Sequence, residues 1–259
     1  MKIYRSEAKV NLFLKITGLR GSYHELMSRF IKVSNLYDDM VFVEERGAFN
    51  IHGFGKEVSL NNNIIYKTLQ NLIKTLNVKN AKRVDNFFNE HSLSVTKRVP
   101  MMAGLGGGSS NSATFLKMVD EVLKLNLSDR EKLAIVEPLG SDIAFFLNPL
   151  GSANVSGVGE IVEPFEEETP KIDVYTPDIS CNTGAVYREY RNNFLKLSDI
   201  NSVKEWLNKP SKELFSELKI ESANDLYPPA LSICPKLAEA KKDGYLFSGS
   251  GSSFFRVKS

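Results

Sequence analysis

Pro100-Met101-Met102-Ala103-Gly104-Leu105-Gly106-Gly107-Gly108-Ser109-Ser110-Asn111-Ser112 decides how this sequence folds. Four of the chain's 17 glycines, Gly104, Gly106, Gly107 and Gly108, fall within five positions of it. Glycine has no Cβ, so such a loop reaches φ > 0 and lets a bulky anion touch its main chain. A helix is expected from near Ser109, because Ala113, Leu116, Val119 and Leu123 recur every three or four residues and share one face. Ser109, Ser110 and Asn111 are its candidate caps. Ahead of the loop, Leu93 and Val95 alternate with Ser92, Ser94 and Thr96, the period of a strand. A strand–loop–helix turn whose first N–H groups are unpaired makes a phosphate cradle. The same glycines also suit a plain flexible linker. Two familiar cradles are excluded by single residues. No lysine follows Gly108, as a Walker A loop requires, and Ser109 stands where a dinucleotide fingerprint read from Gly104 needs glycine.

The length of 259 residues allows one large or two small domains, and at 42% hydrophobic the chain can bury a core. The 33 basic and 31 acidic residues leave a formal charge of +2, which gives no bulk attraction to nucleic acid or to a membrane. Cys181 and Cys234 have no cysteine or histidine close by in sequence, so no zinc site is suggested, and free thiols suit a reducing compartment. The opening residues do not read as a secretory signal, and no run approaches the ~18 apolar residues of a membrane helix. A soluble, cytoplasmic protein is expected.

Upstream of the loop, residues 8–16 alternate. Val10, Leu12, Leu14 and Ile16 share one face; Lys9, Asn11, Phe13 and Lys15 share the other. Such a strand is either a solvent-facing surface or a substrate-facing one whose lysine meets phosphate. Residues 18–23 read as a loop, followed by His24; His52 and His91 read as structural. Residues 41–43 read as a strand. Asn61 to Asn63 stand before a helix striped by Ile65, Leu69, Leu72 and Leu76. Downstream, Ser128-Asp129-Arg130-Glu131 is a capping-box pattern whose helix runs to Glu137 and stops at Pro138. Gly140-Ser141-Asp142 then heads a very apolar segment, where Asp142 is either a helix cap or a partly desolvated base or positioning group. From Gly151, three glycines and the acidic run 166–168 suggest a crossing between domains. A short strand is expected at 172–175, and helices around 184–195, 202–208, 212–218 and 230–242. A second small-residue loop, Ser248-Gly249-Ser250-Gly251-Ser252-Ser253, precedes a last strand over 254–257.

In this order, the Lys9/Asn11 strand, the Gly-Ser loop, the Gly-Ser-Asp at 140–142 and the late Ser-Gly loop resemble the GHMP small-molecule kinase family. Residues 100–112 resemble its central ATP loop, and residues 248–253 its C-terminal glycine motif. The resemblance implies an α+β, two-domain GHMP kinase fold. Residues 1–155 would form a ribosomal-S5-domain-2-like ATP-binding domain and residues 156–259 a ferredoxin-like α/β-plait domain, with the two substrates meeting between them. Ala8-Lys9-Val10-Asn11-Leu12-Phe13-Leu14, Tyr23-His24-Glu25-Leu26, Asn62-Asn63-Ile64-Ile65 and Leu139-Gly140-Ser141-Asp142 are similar to one branch of the family. That branch moves the ATP γ-phosphoryl to the 2-hydroxyl of a diphosphocytidyl-linked methylerythritol.

The resemblance also implies roles. Asp142 takes or directs the proton of the attacking hydroxyl, and Lys9 holds it ionised and offsets charge on the transferring group. Residues Pro100 to Ser110 wrap the ATP phosphates through main-chain N–H groups. Ser109 or Ser110 reaches Mg2+, a hard cation that prefers oxygen ligands. Asn63, Ile64 and Lys97 match positions near the adenine. Tyr23 and His24 match the residues that stack on and hydrogen-bond the cytosine, and Tyr187, where the family often has Phe, matches the aromatic on its other face. Asn11 would bond the erythritol part, and Gly249 and Gly251 let the last loop approach the substrate. The implied partner is a small molecule, with no nucleic acid and no membrane; a monomer and a weak homodimer both stay open. A mevalonate or homoserine kinase gives no reason for the Tyr23-His24 pair. A non-catalytic sensor is expected to lose Lys9 or Asp142, and a nucleic-acid module lacks its basic stripe here.

Overall fold

A computed structural model of the chain describes residues 2–55 and 58–258. Two long strands come first, β1 (Tyr4–Arg20) and β2 (Tyr23–Glu44), paired and joined by the turn Gly21-Ser22. Gly21 sits at φ 60, the left-handed setting that a tight hairpin turn uses. The loop expected over residues 18–23 is thus only this turn. β2 also takes in residues 23–40, which the sequence pattern does not mark as strand, because Ser28, Arg29 and Asp38 are buried within it and interrupt the apolar alternation.

The chain continues through β3 (Ile51–His52), α1 (Ile64–Thr75), α2 (Val78–Phe88), β4 (His91–Thr96), α3 (Gly107–Leu123), α4 (Asp129–Val136) and α5 (Ile143–Leu147). Then follow β5 (Ser152–Ser156), β6 (Ile161–Pro164), β7 (Ile172–Tyr175), α6 (Thr183–Glu189), α7 (Ile200–Asn208), α8 (Ser211–Glu217) and α9 (Ile220–Ala223). The last elements are α10 (Tyr227–Ile233), α11 (Leu237–Ala240), β8 (Leu246–Phe247) and β9 (Phe254–Val257). Two expectations are corrected. α3 starts at Gly107, so Ser109, Ser110 and Asn111 lie inside its first turns rather than at its cap. The single helix expected over 230–242 is two, because Pro235 cannot continue α10. The chain passes from one compact unit to the other between Pro149 and Leu150, where the glycines from Gly151 suggest a crossing, and then forms a hairpin, with β5 antiparallel to β6 and Ala153 opposite Pro164.

The chain packs as two compact units, each assembled from separated stretches. One comprises Met1–Glu7, Leu36–Val99 and Gly107–Pro149; the other comprises Ala8–Asn35, Pro100–Gly106 and Leu150–Ser259. They do not follow chain order, so neither coincides with residues 1–155 or 156–259. In the first unit the end of β2 pairs antiparallel with β4, Asp39 opposite Thr96, and β3 lies parallel to β4. α1 buries Ile65, Leu69 and Leu72, and α3 buries Ala113, Leu116 and Val119. Each of the leucine, isoleucine and valine side chains contributes about 1.5–3 kcal/mol on full burial. The Thr68 and Ser112 hydroxyls, 2.6 Å apart, tie α1 to α3. Asn63 caps α1, accepting from the Ile65 N–H at 2.9 Å.

In the second unit β2 pairs with β5, Ser28 opposite Val155, and a separate sheet runs β7-β9-β8. Its largest buried polar group is Arg29, which is 0% exposed. The guanidinium donates to Asn154 Oδ1 at 2.6 Å, the Leu207 carbonyl at 2.8 Å and Ser211 Oγ at 3.1 Å, and lies 3.5 Å from the Phe165 ring centroid. Burial pulls its pKa down to about 10, opposed by the charge of Glu167. Both cysteines are free, and burial pushes the Cys181 thiol up to about 12.

Candidate active site

The glycine-rich loop spans the division of the chain, which falls after Gly106. Within the second unit, φ is positive at Met102 (54°), Gly104 (75°) and Gly106 (66°). Left-handed residues at every second position are what an anion-binding main-chain concavity uses when the residues between them are right-handed. Met102 takes a setting uncommon for a residue with a Cβ. The carbonyls of this stretch bond elsewhere in the protein. Those of Ala103, Gly104 and Leu105 accept from Ser253 N at 3.1 Å, Ser248 Oγ at 3.0 Å and Lys9 N at 2.9 Å. A loop with its carbonyl oxygens committed to the protein presents little negative charge to a phosphate.

The same bonds assemble three distant segments. β1 is buried on both faces from Ala8 to Leu14, which excludes the solvent-facing reading of Lys9 and Asn11. Lys9 Nζ donates to Asn11 Oδ1 at 2.6 Å and lies 4.5 Å from the Phe30 ring centroid. Asn11 Nδ2 donates to Ser28 Oγ at 3.1 Å, and the Asn11 N–H to Ser248 Oγ at 3.3 Å. Gly249, at φ 58, is so close that a Cβ there would lie 3.2 Å from Asn11 Oδ1. Asn224, buried and unmarked in the sequence, donates to the carbonyls of Phe247 (3.0 Å) and Gly249 (2.8 Å), which fixes the late loop. Gly251 answers to a different demand: at φ 88, a Cβ there would lie 2.2 Å from Cζ of Phe247.

Tyr23 and His24 open β2, and successive strand residues point to opposite faces. Tyr23 is accordingly 66% exposed and His24 only 8%. His24 meets Tyr187 of α6, ring centroids 5.1 Å apart and planes tilted 36°, and meets Tyr190 edge-on at 5.7 Å. Burial first and the charge of Arg191 second lower the His24 pKa. Tyr190 belongs to a π-turn, Tyr190–Phe194, that extends α6 and brings Arg191 to the β1–β2 turn.

In the first unit Gly107 and Gly108 form the first turn of α3. A Cβ on Gly107 would press on Val99 Cγ1 at 2.9 Å. A Cβ on Gly108 would meet only Ile64 Cγ2, at an ordinary 3.8 Å. Packing therefore does not require glycine at 108, and the start of α1 at Ile64 adjoins the start of α3. Ser110 is buried and accepts from Ser6 Oγ at 2.8 Å, whereas Ser109 is half-buried. Lys97 forms an ion pair with Asp38 and donates to Asn111 Oδ1 at 3.1 Å. Asp38, fully buried, also accepts from the N–H groups of Arg98 (2.7 Å) and Val99 (2.8 Å) and from Asn111 Nδ2 (2.9 Å). This carboxylate fixes the chain as it leaves β4 towards the loop; the sequence offers no mark for it beyond the pair Asp38-Asp39. Asp142 is half-buried at the head of α5 and makes no side-chain bond that caps that helix.

Among the described residues no helix is long and apolar enough to cross a membrane. Residues 63–148 match the family model of the GHMP kinases N terminal domain. The chain is 45% identical to a 4-diphosphocytidyl-2-C-methyl-D-erythritol kinase of Sulfurimonas denitrificans, over 100% of this chain and 97% of that protein. It is 40% identical to a kinase of the same name from Campylobacter jejuni, over 99% of each. A crystal structure of a 4-(cytidine 5'-diphospho)-2C-methyl-D-erythritol kinase superposes with a TM-score of 0.72 at 28% identity, covering 99% of this chain and 90% of that one. A mevalonate kinase crystal structure shares the fold at 16% identity, TM-score 0.60, covering 100% of this chain and 92% of that one.

Proposed function

The chain belongs to the GHMP kinases and, within them, to the 4-diphosphocytidyl-2-C-methyl-D-erythritol kinases, and from that membership we propose how its residues serve the reaction. It is an ATP-dependent phosphotransferase. It moves the γ-phosphoryl to the 2-hydroxyl of 4-diphosphocytidyl-2-C-methyl-D-erythritol, giving the 2-phosphate and ADP, in the non-mevalonate route to isoprenoid precursors. The observation that carries this reading is full-length identity of 45% to a kinase of that name.

The main chain of residues 102–106, left-handed at three positions, and the helix start at Gly107-Gly108 fit a polyphosphate by their donor chemistry. Asn63 and Ile64, at the start of α1, and Lys97, held by Asp38, serve the adenine end of ATP. Asp142 receives or directs the proton of the 2-hydroxyl as its oxygen bonds to the γ-phosphorus and the bond to ADP breaks. Lys9, fixed by Asn11 and Phe30, offsets the charge that develops on the transferring group. Bound Mg2+ would neutralise phosphate charge, and Ser109 suits it better than Ser110, whose hydroxyl is taken up by Ser6. Tyr23, His24 and Tyr187 hold the cytosine. Asn11 has one amide proton and one lone pair beyond its bonds to Ser28 and Lys9, and these suit the polyol. Gly249, which the Asn11 side chain adjoins, lets the late loop come close to it. Both thiols being free suits a reducing cytoplasm, where we place the enzyme.

An assay of ADP release on the purified protein tests the reading. Turnover with 4-diphosphocytidyl-2-C-methyl-D-erythritol far above that with mevalonate or homoserine is expected; equal or greater turnover with either of those overturns it.

A further inference from the structure

Four buried side-chain polar atoms among the described residues have no hydrogen-bond partner, and two of them, His24 Nε2 and Arg191 Nε, occur in one place. Leaving such groups unpaired is costly, so residues kept there answer to something other than stability. Arg191 is also committed geometrically. Its Nη2 donates to the carbonyls of Gly21 (3.1 Å) and Tyr23 (3.3 Å), the turn that delivers Tyr23 and His24. The residue before it, Tyr190, holds the edge of the His24 ring and is itself anchored by its hydroxyl to the Lys196 carbonyl at 2.6 Å. One guanidinium thus fixes the turn from outside while its charge bears on the imidazole inside.

We propose that Arg191 is a positioning residue for the pyrimidine: it pins the Gly21–Tyr23 turn and sets its charge against the His24 ring, so that His24 meets cytosine through one unprotonated ring nitrogen. The proposal rests on the cytidine reading of the substrate. Cytosine carries an amino donor beside its acceptors N3 and O2, and a neutral imidazole has one nitrogen that accepts from that amino group, whereas an imidazolium carries only donors. The groups that face His24 are Tyr187 from α6 and Tyr190 and Arg191 from the π-turn. The nearby carboxylates are engaged elsewhere: Glu25 and Glu160 both pair with Arg20, and Asp225 with Lys15. Arg191 is therefore the charge that acts on the ring, and it acts to keep the proton off.

Two substitutions separate the two duties. Arg191→Lys keeps the charge and loses the fork; Arg191→Met loses both. Each is expected to raise KM for the cytidine substrate about tenfold while leaving KM for ATP unchanged. Burial and the guanidinium both hold the His24 pKa below 6.5, so removing the charge lets it rise. The acid limb of the KM profile should move to higher pH in Arg191→Met and stay in place in Arg191→Lys. The His24 ring titration, followed by NMR without substrate, should show the same contrast. Unchanged KM for the cytidine substrate, equal rises for both substrates, or an identical His24 titration in Arg191→Met overturns the assignment. Failure of the wild-type enzyme to use the cytidine substrate falls instead on the function, and the titration still judges Arg191.

Discussion

Helices α4 and α5 both start at a Ser-Asp pair, Ser128-Asp129 and Ser141-Asp142, and the two pairs are used in different ways: Ser128 caps α4, which opens on Asp129, whereas Asp142 holds the cap position of α5. At α4, Ser128 sits in extended backbone (φ −66°, ψ 159°) and forms a complete capping box with Glu131. At α5, Asp142 holds the cap position with a helical backbone (φ −66°, ψ −14°). A cap side chain reaches back to the first N–H groups only when its own residue is extended, so Asp142 is denied that use by its backbone. The difference separates a polar residue that the helix needs from one that it does not. The two glycine loops repeat the contrast. Gly251 is required by a left-handed φ and by the Phe247 ring, whereas Gly108 is helical and packing leaves room for a methyl group. A residue that its helix does not use as a cap is open to a chemical role.

The largest effect is therefore expected at Asp142. Asp142→Asn should lower kcat by about 10²–10⁴-fold, the range for a positioned base, with the melting temperature and ATP binding kept. Near wild-type turnover by this variant would make Asp142 a helix-start residue after all and erase the contrast with Ser128. Next is Gly251→Ala. A Cβ on a left-handed residue, set against an aromatic ring, should cost about 2–4 kcal/mol of stability. An unchanged melt accompanied by a raised KM for the cytidine substrate would move Gly251 to the group that ligands, not packing, require. Gly108→Ala sharpens the other side. Alanine is the better helix former by about 1 kcal/mol, so stability should hold or rise. KM for ATP should rise about tenfold if a phosphate rests on that main chain. A variant with unaltered KM for ATP would show that the cradle does not include Gly108.

The sequence showed the elements that obey local rules. α1 with its Asn63 cap, the Ser128 capping box, β4, β7 and β9 all stand where period and capping chemistry put them. The family was legible because its motifs are contiguous. What stayed hidden was set by long-range burial. Arg29 and Asp38 break the alternation of β2 because each is satisfied by partners far along the chain, so a 22-residue strand read as three residues. Arg191 carried no mark, since its importance comes from a π-turn that a helical pattern does not disclose. The caps assigned to Ser109, Ser110 and Asn111 failed because Gly107 and Gly108 joined the helix, against the ordinary cost of glycine there. Misplacing that start by two residues also hid which serine remains available, since Ser110 turns inward to Ser6.

The smallest effect closes the comparison at α4. Ser128 Oγ accepts from the Glu131 N–H at 3.3 Å while Glu131 Oε2 accepts from the Ser128 N–H at 2.8 Å, so two orphan donors are satisfied reciprocally. That hydrogen bonding pulls the Glu131 pKa below its usual value, the Ser128 hydroxyl first and the Ser128 N–H second. Ser128→Ala removes one half of the box and leaves Glu131 exposed to water, so a loss of about 1 kcal/mol is expected in denaturant unfolding. No change is expected in kcat or in either KM, because α4 is capped by a residue that the helix itself consumes. A kinetic defect in Ser128→Ala without a loss of stability would mean that the head of α4 shares the chemistry of the head of α5, and the division between structural and reactive helix starts would no longer hold in this chain.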